Sequence, residues 1–173
     1  MAEVSPRRSL AVVMLLVLAL AVQTSVLPRL GLPGATPDVV LLVVLALALA
    51  QGPLTGLVVG FGSGLALDLV PPADHAVGRY AFVFTVIGYL AGMAKDEAER
   101  SAVMPFVTVG VAAAAGTLLY AGLGVVFSEV GVDGKTLLGL VPTAVLYDVL
   151  LAPFVLPGVM ALVRRAEPDL VRW

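Results

Sequence analysis

Charged residues fall into short intervals along this chain, and between them lie uncharged, mostly apolar runs at 9–28, 39–67, 80–94, 101–128 and 149–163. The first run ends at Pro28, before a Gly- and Pro-rich turn, "RLGLPGAT". A helix start follows: Thr36 suits the cap, Pro37 the first helical position, and Asp38 the first turn, where the helix dipole favours an anion. As one helix, the run at 39–67 would extend ~44 Å, well beyond the ~30 Å hydrocarbon core of a bilayer. It must therefore break, and "AQGP" at 50–53 is the place. The pattern predicts helices over about 10–27, 37–50, 54–70, 77–94, 103–127 and 137–163. That is an all-α, six-span integral membrane bundle in one polytopic domain covering 1–173.

Six spans put both termini on one side. Arg7, Arg8, Lys95, Arg100, Arg164, Arg165 and Arg172 lie on that side, against Arg29, Arg79 and Lys135 opposite, which makes the termini cytoplasmic. Trp173, after Arg172, fits an interfacial anchor. The first run also has features of a secretory signal, with Arg7 and Arg8 ahead of it and small residues at 19–25. It is long for such a signal, and membrane-like runs follow it. A twin-arginine signal fits "SPRRSL" poorly.

Composition agrees with a membrane protein: of 173 residues, 60% are hydrophobic and 13% charged, about half the charge of an ordinary soluble domain. With no cysteine, disulfide and thiolate chemistry are excluded. His75 is the one histidine, so a zinc site would need its other ligands from carboxylates. A net charge of -2 without a basic cluster speaks against nucleic-acid binding.

"GPLTGLVVGFGSGLALDL" puts Gly52, Gly56, Gly60 and Gly64 at every fourth position, followed by Asp68. In lipid, close van der Waals approach drives helix association, and glycine permits it. Each four-residue step drifts ~40° around the helix, so the glycines form a slanted groove. Gly88 and Gly92, or the stretch at 112–116, could fill it from within the chain; a partner subunit is the alternative. Asp68 sits at the outer end of its helix, either solvated or in a contact. Asp148 lies ~16 Å into the last predicted helix, where ionisable groups face the bundle interior or a wet cavity. Thr143 and Tyr147 are placed to share hydrogen bonds with it, as a structural network, a partner or ligand contact, or a proton relay. Pro142, Pro153 and Pro157 bracket it and should kink the helix.

No catalytic constellation stands out. Ser63 in "GFGSGLALD" lies within a predicted helix, so neither a nucleophile elbow nor a phosphate loop fits. Asp68 and Asp148 could form an intramembrane acid pair, but their expected depths differ. "KDEAER" at 95–100 reads as a solvated helix end.

Gln23 and Ser25, Gly34, Pro37 and Asp38, the segment "ALAQGPLTGLVVGFGSGLALDL" at 48–69, and Gly78 together resemble the rod shape-determining MreD family. Length and span number agree over the whole chain; the specific part is 23–78. The resemblance implies a non-enzymatic membrane scaffold without cofactor in the bacterial elongation machinery (elongasome) of the inner membrane. Its partner would be MreC, and through it the MreB filament, RodA and a penicillin-binding transpeptidase. The family is similar in build to the substrate-binding subunits of energy-coupling-factor (ECF) vitamin transporters, which gives the alternative function. Those subunits often carry A-x-x-x-A on helix 1, which is missing here, although Ala46 and Ala50 provide it on helix 2. The family tends to have asparagine where this chain has Asp148. Expected partner contacts are Gly52, Gly56, Gly60, Gly64 and Asp68, with Asp38, Arg79 and Asp148 as secondary polar candidates.

Overall fold

The computed structural model describes residues 6–71, 77–127 and 134–166, with side chains from 139 onward in the last segment. His75, Arg172 and Trp173, and the Lys135 side chain, lie outside the described residues. Every regular element described is helical: α1 (Pro6–Ser25), a 3-10 turn (Leu27–Leu30), α2 (Val39–Gln51), α3 (Pro53–Asp68), α4 (Arg79–Met93), α5 (Lys95–Arg100), α6 (Met104–Val126) and α7 (Gly134–Ala166).

Three stretches among the described residues, 6–30, 104–126 and 139–166, are long and apolar enough to cross a membrane. The helices α2, α3 and α4 have 13, 16 and 15 residues, only about 20–24 Å at 1.5 Å per residue. Composition explains where α2 sits. Leucine, valine and alanine surround it on all sides, and such a helix belongs in an interior. Val40 through Leu49 are all buried, with α1, α3, α4 and α7 packed around them. The outer helices turn Met14, Leu18, Val58, Phe82, Val111 and Phe154 outward, and an exterior this apolar suits lipid rather than water.

The predicted break between the second and third helices falls at Gly52. Its φ of 94° lies in the region that favours glycine, and its N–H closes α2 on the Ala48 carbonyl at 2.7 Å. Pro53 then opens α3, where its missing N–H costs nothing.

Three expectations need correcting. The cap of α2 is Asp38, not Thr36: its carboxylate accepts from the Leu41 N–H at 2.9 Å, while Pro37 precedes the helix. The first helix ends at Ser25, and Pro28 lies within the 3-10 turn that follows. "KDEAER" forms a separate short helix, α5, with Lys95 and Glu99 3.8 Å apart. The last helix continues through Pro142, Pro153 and Pro157.

Candidate functional site

The site is built on helix starts. Both α2 and α4 begin at the same end of the bundle, because α3 runs back between them. A helix leaves its first N–H groups without intrahelical partners, and in apolar surroundings each unsatisfied group is costly. Side chains from neighbouring elements meet them here.

At α2, Asp38 caps Leu41, Gln23 from α1 accepts from the Val40 N–H at 2.8 Å, and Asp148 from α7 accepts from the Asp38 N–H at 2.7 Å. The non-helical segment before α2 is held by the same face of α7. Thr143 Oγ1 accepts from the Ala35 N–H at 2.9 Å, and the Tyr147 hydroxyl donates to the Pro33 carbonyl at 3.2 Å. Gly34 passes so close to Thr143 that a Cβ would overlap its side chain, and its φ of 81° also favours glycine. Irregular backbone in apolar surroundings needs partners for its polar groups, and α7 supplies them here. Thr143, Tyr147 and Asp148 thus cooperate by holding one segment rather than by bonding one another.

At α4, Asp68 is fully buried, and its two oxygens accept from the N–H groups of Gly78, Tyr80 and Ala81, each at 3.0 Å. A carboxylate with three backbone donors at a helix N-terminus is well placed for both hydrogen bonding and the dipole. Arg79 reaches from α4 to α6. Its Nε donates to the Tyr120 carbonyl at 2.9 Å, Nη2 donates to the same oxygen, and the guanidinium stacks 3.7 Å from the Tyr120 ring centroid. A Cβ at Gly124 would overlap that guanidinium. The Tyr80 ring lies 4.4 Å from the Tyr120 ring and edge-on to Phe84.

Between these ties lies a cavity of about 380 Å³, walled by Gln23, the segment 34–38, Leu41, Tyr80, Val83, Phe84, Tyr120, Ala144 and Asp148, among others. A family model matches this chain: that of rod shape-determining protein MreD, over residues 6–166. The chain belongs to the MreD family. No curated protein and no solved structure gives a match. MreD is a shape-determining family rather than a known enzyme family, and this member is a helical protein with membrane-type helices.

Within this MreD-family bundle, the expected contact residues separate into two sets. Asp38, Asp68, Arg79 and Asp148 gather at the end where α2 and α4 start. Asp68 and Asp148 each serve a helix start at that end, although their sequence positions suggested different depths. The glycines form the seam between α3 and α4. A methyl at Gly56 would strike the Gly88 carbonyl, one at Gly60 the Phe84 carbonyl, and one at Gly64 the Tyr80 carbonyl. Gly52 and Pro53 take the contact opposite Gly92. The groove that could have received a partner is filled by α4 of the same chain. The hydrogen-bonding roles of Gln23 at the start of α2, and of Thr143 and Tyr147 toward the turn before it, were not legible from spacing, because each bond spans 17 to 114 residues. Their signal is a polar side chain in an otherwise apolar helix, which marks the residue but not its partner.

Proposed function

We propose that this chain is a non-enzymatic scaffold of the bacterial elongation machinery. It crosses the inner membrane six times with both termini cytoplasmic, and it holds a single-span, MreC-like protein against its bundle. Through that partner, RodA, the penicillin-binding transpeptidase and the MreB filament would be kept together so that wall synthesis maintains a rod. Family membership supports the role in cell shape. The observation that carries the mechanism is the use made of the polar side chains: Asp38, Asp68, Arg79 and Asp148 all hold backbone groups inside the bundle, while the outer surface is apolar. Such a molecule works by its shape. Gly52, Gly56, Gly60 and Gly64 serve the partner by fixing α3 to α4, and the four polar residues serve it by fixing the helix starts.

The test is a pull-down of the tagged chain from native membranes, with the recovered proteins identified. Recovery of an MreC-like protein with wall-synthesis enzymes is the expected result. Recovery of transporter ATPases in their place overturns the proposal and favours the ECF-type reading.

A further inference from the structure

The cavity between the helix starts has polar surface that the shape-determining role does not use. Asp148 is 2% exposed, and among the described residues its carboxylate takes one hydrogen bond, on Oδ1, from the Asp38 N–H. Its other oxygen is not shut in, because the fully enclosed side-chain nitrogen or oxygen without a partner, among the described residues, is the Gln51 Nε2. Asp148 Oδ2 therefore keeps open surface, and the open space that Asp148 lines is this cavity. Asp38 lines it too, with Oδ1 committed to the Leu41 N–H. Two carboxylates thus share one cavity, yet its described lining holds no lysine, arginine or histidine. A carboxylate in apolar surroundings calls for a counter-charge and a hydrogen-bond donor. A metal ion does not fit, since no group of three or more acidic or histidine residues comes together among the described residues. The rest of the lining includes Leu41, Val83 and Phe84, which suit carbon rather than water. At about 380 Å³, the volume falls within the ~300–1,000 Å³ of small-molecule pockets.

We propose that this cavity binds a primary ammonium group carried on an aliphatic stem. An ammonium N–H donates to Asp148 Oδ2, the Asp38 carboxylate adds its charge, and the stem lies against Leu41, Val83 and Phe84. A quaternary ammonium has the same charge but no N–H, so it loses the charge-assisted hydrogen bond. Two sources carry the chemistry: a soluble alkylamine and the headgroup of phosphatidylethanolamine. Cell shape is independent of this ligand. The start of α2 needs only an acceptor for the Asp38 N–H, which asparagine at 148 retains, whereas the asparagine NH2 would face the ammonium donor to donor.

The test uses the full chain in detergent. Hexylammonium, hexyltrimethylammonium and hexanol are titrated by calorimetry, and dioleoyl phosphatidylethanolamine and phosphatidylcholine are counted by native mass spectrometry. The wild type should bind hexylammonium about tenfold better than hexyltrimethylammonium, the worth of one hydrogen bond to a charged group. Asp148→Asn should bring that ratio close to one. A matching preference for phosphatidylethanolamine over phosphatidylcholine, with the lipid displacing hexylammonium, supports the site and assigns it to the headgroup. Equal retention of the two lipids beside selective hexylammonium binding supports it and assigns it to a soluble amine. Wild-type binding of hexylammonium no better than of hexyltrimethylammonium or hexanol overturns the proposal. So does an Asp148→Asn variant that keeps the preference. The wild-type comparison decides even if the variant does not fold.

Discussion

At the residue scale, the carboxylates act as acceptors for backbone N–H groups, and this makes their replacements predictable. Asparagine at 148 keeps a carbonyl oxygen for the Asp38 N–H, whereas leucine leaves that donor buried and unpaired. Asp148→Asn should therefore change stability little, and Asp148→Leu should cost about 1–3 kcal/mol, measured by unfolding in mixed micelles. Asp68→Ala removes the acceptor for three N–H groups at once and should cost more than the ~1 kcal/mol typical of an ordinary cap. Among the glycines, position decides. Gly60→Leu drives a side chain into the Phe84 backbone and should lower the yield of folded protein sharply, while Gly62→Ala, facing open space, should leave that yield unchanged.

At the element scale, the central result is that α2 is too short to cross a bilayer by itself and is enclosed by the others. The segment leading into it is non-helical and bonded by α7. The prediction is specific: Thr143→Val together with Tyr147→Phe should loosen 33–38 and leave the α3–α4 seam intact. Hydrogen exchange should then show faster exchange at Ala35, with α3 amides unchanged; equal loosening of both would contradict this division. Much of this level was legible in the sequence. The break at "AQGP" followed from length alone, because one helix over 39–67 exceeds the membrane, and the register of Gly52, Gly56, Gly60 and Gly64 gave a seam on one face. Which element fills the seam was not legible, because the small surfaces at Gly88 and Gly92 and at 112–116 suit it alike. The cap of α2 was displaced by two residues because Thr36 and Asp38 are both good caps, and only the Asp148 bond to the Asp38 N–H favours the second.

At the scale of the whole molecule, the proposed topology is open to direct measurement, because the chain has no cysteine and any introduced one is unique. Ser101→Cys, exposed between α5 and α6, should react with an impermeant maleimide only from the cytoplasmic side, and Leu30→Cys only from outside. Reaction of both from one side would refute six crossings. The cavity near Asp148 gives the vitamin-transporter alternative its own check: thiamine, riboflavin and biotin should show no saturable binding to the purified protein, and sub-micromolar binding of any of them would reverse the assignment. The most direct test of the account is cell shape in the bacterial host when its sole copy carries Asp148→Asn, a change that keeps the hydrogen-bond acceptor and removes the ionisable group. The account predicts rods like those of the parent strain. Rounded cells, with the variant present in the membrane at normal levels, would show that the carboxyl's chemistry is needed and would contradict it.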